Sequence, residues 1–196
     1  MPSQSHPPLT RRMFLLSSGT AVSVLALPKI MLGAAPVKPA VVALAFDGDA
    51  VLAAGSDLIR SDDGGSSWTA LPIPAAVLAL ATHREQRGRI LASLASGGIA
   101  LSEDGGRTWE GRSRGLAAGK IDAVALAAGR PDMAYAAVRG DGLWKSEDAG
   151  QSWSLAMDRP WLNDAERDLL ALVSVDLATG MGGIWIYAGT PVGLTR

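Results

Sequence analysis

The chain has 196 residues, a formal net charge of −1, 48% hydrophobic residues, 23 glycines and no cysteine. That is one domain's worth of sequence with enough apolar content for a packed core, and it excludes disulfides, iron–sulfur thiolates and cysteine-based zinc sites. Beyond residue 35 the only histidine is His83, so no multi-histidine metal site fits in one subunit. Removing Arg11, Arg12 and Lys29 leaves 15 basic against 19 acidic residues, which gives no electrostatic footprint for nucleic acid.

In chain order, the first feature is Thr10-Arg11-Arg12-Met13-Phe14-Leu15-Leu16. A twin-arginine pair heads an apolar run over residues 13–27, broken by Ser17, Ser18, Gly19 and Ser23, and Gly33-Ala34-Ala35 supplies small residues at its end. The run is short of the roughly 20 residues that cross a bilayer as a helix. Basic head, apolar middle and small-residue end are the order of an export signal rather than of a buried helix. The segment resembles the bacterial twin-arginine signal, with Leu16 in place of the common Lys and Pro36 directly after the small residues. The resemblance implies an extracytoplasmic protein, periplasmic or secreted. Membrane contact would run only through this segment, if it stays uncleaved. That route carries folded proteins, and a chain without cysteine needs no oxidising compartment to fold. Residues 1–35 are therefore read as signal, 36–39 as linker, and 40–196 as the folded domain.

Four units follow the linker, over residues 40–74, 75–120, 121–158 and 159–196. Each opens on a short apolar run, taken as the outer strand: Val41-Val42-Ala43-Leu44, Val77-Leu78-Ala79-Leu80, Ala123-Val124-Ala125-Leu126 and Leu169-Leu170-Ala171-Leu172. A second run comes next: Val51-Leu52-Ala53-Ala54, Ile90-Leu91-Ala92-Ser93, Ala134-Tyr135-Ala136-Ala137 and Trp185-Ile186-Tyr187-Ala188. Such runs fit strands buried between stacked sheets, and the glycine and polar turns between them argue for an all-β fold. A third strand begins at Leu58, Ile99, Leu143 and Leu194. One exception stands at residues 162–172, where Asn163 could cap a short helix leading into the fourth unit.

The third strand runs into an octet that occurs three times: Ser61-Asp62-Asp63-Gly64-Gly65-Ser66-Ser67-Trp68, Ser102-Glu103-Asp104-Gly105-Gly106-Arg107-Thr108-Trp109 and Ser146-Glu147-Asp148-Ala149-Gly150-Gln151-Ser152-Trp153. The copies start 41 and 44 residues apart, a period that suits one four-stranded propeller blade. Physically the octet reads as a hairpin turn. Gly65, Gly106 and Gly150 supply the positive φ of a tight turn, and Asp63, Asp104 and Asp148 accept hydrogen bonds from the turn's own backbone. Ser61, Ser102 and Ser146 add a polar tie. Trp68, Trp109 and Trp153 pack beneath, each with an indole N–H seeking a partner. None of these roles needs a ligand.

The octet resembles the Asp-box, or bacterial neuraminidase repeat. That repeat occurs in propellers of sialidases, xyloglucan-active glycoside hydrolases, the sortilin receptor family and photosystem II assembly factors. The resemblance covers nearly the whole post-signal chain. It implies a structural role for the three aspartates at the outer edge of each blade, away from the central binding face. A carboxylate spread over three blades cannot converge on one catalytic or calcium centre.

An enzyme reading finds little to stand on. The Arg-Ile-Pro motif of sialidases is absent, and Tyr135 and Tyr187 sit in second-strand runs that suit packing. Glycosidases place two carboxylates roughly 5 to 9.5 Å apart across a cleft. Asp47, Asp49, Asp57, Asp122, Asp141, Asp158, Asp164, Glu166, Asp168 and Asp176 are available, and nothing in their spacing selects a pair. No phosphate-cradling glycine loop occurs. Arg84, Arg87 and Arg89 share a loop that reads as solvated or as a small anion or partner contact; Trp144 and Trp161 read as core or as exposed contacts.

The expectation is an all-β, partial or small β-propeller of about four four-stranded blades, the last incomplete because the fourth unit lacks its octet and fourth strand. A protein partner or self-association would complete the arc, since an open edge invites pairing. The function expected is exported, non-catalytic binding or assembly acting on a protein or membrane-complex partner, with no cofactor and no metal. The alternative is a sialidase-like glycoside hydrolase or a carbohydrate-binding fragment of one.

Overall fold

The computed structural model describes residues 40–156, 169–177, 183–191 and 193–195. The expected signal with Arg11 and Arg12, the linker, and Asp158, Trp161, Asn163, Asp164, Glu166 and Asp168 lie outside the described residues.

Among the described residues fifteen strands make four antiparallel sheets arranged as the blades of a β-propeller, and there is no helix. Sheet 1 holds β1 (Ala43–Asp47), β2 (Ala50–Ala54), β3 (Leu58–Ser61) and β4 (Thr69–Leu71). Sheet 2 holds β5 (Val77–Thr82), β6 (Ile90–Leu94), β7 (Ile99–Ser102) and β8 (Glu110–Gly111). Sheet 3 holds β9 (Ile121–Leu126), β10 (Ala134–Val138), β11 (Gly142–Ser146) and β12 (Ser154–Leu155). Sheet 4 has three strands, β13 (Ala171–Leu177), β14 (Gly183–Thr190) and β15 (Gly193–Thr195). Within each sheet the strands follow chain order, so every sheet is a simple meander. The sheets fall within the four sequence units, and among the described residues the fourth has three strands where the others have four.

Two expectations need correction. The opening run of each unit is the inner strand, not the outer one: β1 packs on β5, β5 on β9 and β9 on β13. Alanine at Ala43, Ala45, Ala79, Ala81, Ala123 and Ala125 keeps these strands thin, so neighbouring sheets converge there. The outer strands are instead the short fourth ones, and β8 and β12 are exposed throughout. Second, Ala171 and Leu172, the end of the expected helix, open strand β13. Pairing with β14 over a seven-residue register outweighs the local helix signal.

The second strands are the most deeply buried. All five residues of β10 are buried, because apolar side chains cover both of its faces. The core forms three seams. Ala45, Leu52 and Leu58 of sheet 1 pack with Ile90 and Ala92 of sheet 2. Leu91, Ile99 and Leu101 of sheet 2 pack with Val124, Leu126 and Ala136 of sheet 3. Ala125, Tyr135 and Leu143 of sheet 3 pack with Ala188, Leu172 and Ile186 of sheet 4. Burying Leu52, Leu58, Ile90 and Leu91 completely contributes about 1.5–3 kcal/mol each.

Candidate functional site

Meander topology sorts the loops into two groups. Antiparallel pairing puts the first-to-second-strand turn and the octet at one end of sheets 1, 2 and 3. The second-to-third-strand turn and the connection to the next sheet lie at the other.

At the octet end the Ser and Asp side chains of the octets are already engaged. Ser61 Oγ donates to Asp63 Oδ1 (2.8 Å) and accepts the Gly65 N–H (2.8 Å). Asp63 in turn accepts the N–H of Ser67 at 2.8 Å and its hydroxyl at 2.6 Å. The second copy repeats this through Ser102, Asp104, Gly106 and Thr108 at 2.6–2.9 Å. In the third, Ser146 Oγ donates to Asp148 and accepts the Gly150 N–H, both at 2.8 Å. There Asp148 also takes the Ser152 N–H and hydroxyl. Donors converging on an anion favour its charged form. The Ser67 and Ser152 hydroxyls, with the backbone behind them, hold Asp63 and Asp148 at about 2. Thr108 takes Asp104 lower still.

The tryptophans sit one residue before the fourth strands, not within them. Trp68 and Trp109 donate to Gly65 O (3.1 Å) and Gly106 O (3.0 Å) within their own octets. Trp153 donates to Arg112 O (2.8 Å) of the preceding sheet's connection, and its N–H reaches Arg114 O (2.9 Å). The third octet thus also ties two sheets together.

The remaining loops at this end are tied in as well. Buried Asp47 pairs with Arg60 (2.8 Å) and accepts the Gly88 N–H (2.7 Å) from sheet 2. The Gly105 N–H donates to Gly88 O and the Ala149 N–H to Asp132 O. His83 is buried, and its Nδ1 accepts the N–H groups of Glu85 (3.1 Å) and Gln86 (3.0 Å). Burial holds its pKa below the ordinary imidazole value, and an accepting Nδ1 needs the neutral ring. Arg84, Arg87 and Arg89 do not converge. Arg89 is buried on Gln86 (2.6 Å), Arg87 lies exposed 3.7 Å from Asp49, and Arg84 is exposed.

The opposite end carries a cleft. A hollow of about 590 Å³ lies between the turn at residues 95–98 and the connection at residues 112–120. Leu94, Ser96, Gly98, Leu116 and Lys120 line it, with Ser113 at its floor. Ser113 Oγ accepts the Ile99 N–H at 2.8 Å, anchoring the connection on sheet 2. At the rim Lys120 Nζ lies 3.3 Å from Asp122, which Arg139 also grips at 2.6 and 2.8 Å. Burial pushes the Asp122 carboxyl up, but the hydrogen bonds from Arg139 and Lys120 outweigh it and lower the net value. Two cations on one carboxylate leave the rim with a net positive cluster beside an apolar wall.

No pair of carboxylates faces across this cleft among its lining residues. Asp57 accepts the Ser56 hydroxyl and Asp141 the Trp144 indole N–H at 2.7 Å. Tyr135 is buried and donates to Met133 Sδ, and Trp144 packs against the second seam. Among the described residues no group of three His, Asp or Glu side chains is placed to hold a metal ion. The 112–120 connection carries no motif of its own, and only the 44-residue octet spacing, three longer than the first, marks it in the sequence.

No family model matches the sequence, and no curated protein does. Solved structures share the fold. A structure of YCF48 bound to a D1 peptide superposes with a TM-score of 0.53 at 16% identity over 84% of this chain and 54% of that one. A GH74 enzyme from Niastella koreensis gives 0.62 at 20% identity, covering 78% of this chain and 26% of the enzyme. The computationally designed Ika4 protein gives 0.56 at 13% identity, covering 82% and 92%. The chain thus spans about half of the first of these and a quarter of the second. At such identities the likeness is one of fold: this chain is similar to β-propellers among which are a peptide-bound YCF48 and a GH74 enzyme.

Proposed function

We propose that this chain is an exported, non-catalytic propeller protein that binds or helps assemble a protein partner at the end away from the octets. The observation that carries the reading is the contrast between the self-contained octets and the cleft at the other end. The octets, which resemble Asp-boxes, spend their Ser and Asp side chains on their own turns, whereas the opposite end offers a cleft with an apolar wall and a charged rim. A wall of that kind with a few polar groups suits an extended peptide segment. The peptide-bound YCF48 neighbour lends the reading support by analogy of fold alone.

Site-specific photo-crosslinking in the full chain tests it. A crosslinker at Ala117, beside the cleft, should yield one discrete protein adduct that Lys120→Glu weakens, and a crosslinker at Ser66 in the first octet should yield none. Adducts from Ser66 alone would overturn the proposal. The hydrolase alternative is tested on aryl glycosides: turnover abolished by substituting a carboxylate outside the octets would establish it. Export through the twin-arginine route is tested by fusing residues 1–40 to a reporter. Replacing Arg11 and Arg12 with lysine should leave the reporter inside the cell.

A further inference from the structure

The three seams are one interface repeated, and the sheet registers show its two halves. Call the front of a sheet the face carrying Leu44 and Phe46 in β1, which pair with Ala53 and Val51 of β2. In register, the matching front positions are Leu80 and Thr82 in β5, Val124 and Leu126 in β9, and Leu172 and Ser174 in β13. The back positions are Ala45, Ala81, Ala125 and Val173 on the first strands. On the second strands they are Leu52, Leu91, Tyr135 and Tyr187, and on the third Leu58, Ile99, Leu143 and Leu194. Every seam sets the back of one sheet on the front of the next.

Two halves are left over. The front of sheet 1 is open, with Leu44 61% and Phe46 66% exposed and Val42 beside them. The back of sheet 4 is open, with Val173 56% and Leu194 75% exposed. Both are apolar at these positions, and each lacks what the other provides. Exposed sheet faces of this kind mark association surfaces.

We propose that a second copy of this chain covers them, the back of sheet 4 in one copy seating on the front of sheet 1 in the other, at two junctions of one ring. The contact is head-to-tail, so a pair hides all four open faces only by closing. A second copy is favoured over an unrelated protein because both halves of the interface are already present and three working examples stand between them. Occupation of the front of sheet 1 by the chain's own residues 1–39 would leave the back of sheet 4 bare. The proposal stands apart from the cleft reading, because the open faces and the cleft are separate surfaces.

Sedimentation of the full chain tests it, with Phe46→Glu on the front and Leu194→Lys on the back. Both side chains are exposed in the single copy, so the fold should survive, as circular dichroism would show. The wild type is expected at twice the 20.2 kDa of one chain. Each variant alone should sediment as a single chain, since either substitution spoils both junctions. An equimolar mixture of the two should regain a paired species, because the intact back of one variant meets the intact front of the other. A wild type that stays single at all concentrations, a variant that still pairs, or a mixture no heavier than its components would overturn the proposal.

Discussion

Leu143 and Leu194 occupy the same place on the third strands of sheets 3 and 4, yet one is 6% exposed and the other 75%. The same contrast separates Leu126, buried on the front of sheet 3, from Phe46, exposed on the front of sheet 1. Sequence position in the repeat is identical, so local propensity cannot account for the difference. Only the presence of a neighbouring sheet does. In a repeat architecture the stability of a residue is a property of the seam it enters.

The contrast can be broken most forcefully inside a seam. Leu91 is fully buried between sheets 2 and 3. Leu91→Ala should lower stability by about 2–5 kcal/mol, measured by urea unfolding. A loss below ~1 kcal/mol would mean that the seam is not packed as described.

The octets are the next lever. The buried Ser102 hydroxyl satisfies both Asp104 and the Gly106 N–H. Ser102→Ala leaves that N–H without an acceptor and should cost about 1–3 kcal/mol. Arg107→Ala, on an exposed side chain of the same turn, should change stability by under ~0.5 kcal/mol.

Acid unfolding sharpens the comparison further. Asp63 and Asp148 are held at about 2, below the ordinary 3.8. A lowered folded value means that the unfolded chain binds protons first. Their contribution is therefore complete above about pH 4 and is lost as pH falls toward 2. The stability gap between wild type and Asp63→Asn should narrow over that window, as unfolding at pH 5 and pH 3 would show. A gap that stays constant would remove the octet carboxylates as its source.

The smallest effect concerns Ala149, which adopts φ +59° where the other octets have Gly64 and Gly105 at +70° and +79°. An alanine in the left-handed region is strained. Ala149→Gly should therefore raise stability by up to about 1 kcal/mol, and the same change at an ordinary surface alanine should lower it. Thermal unfolding of the two variants decides between them.

Much of this was legible in the sequence because its cause is local. Eight contiguous residues close each octet, so the partners of Asp63 and Asp104 can be read from spacing alone. The strand runs were legible for the same reason. What stayed hidden depends on residues far apart in the chain. A short apolar run such as Val77-Leu78-Ala79-Leu80 reads alike at the inner or outer edge of a sheet, and only packing on β1 and β9 sets it inside. The cleft needs residues 94–98 and 113–120 side by side. Trp153 carries the same motif as Trp68, but its reach to Arg112 depends on where the preceding sheet ends.

The most direct test sets Leu143→Ala against Leu194→Ala, with unfolding followed over a wide range of protein concentration. If one repeat position is core within the arc and docking surface at its end, the Leu143→Ala loss is large even at high dilution. The Leu194→Ala loss should then be near zero at high dilution and grow as concentration rises. Equal losses at all concentrations, or a Leu194→Ala loss indifferent to concentration, would contradict the account.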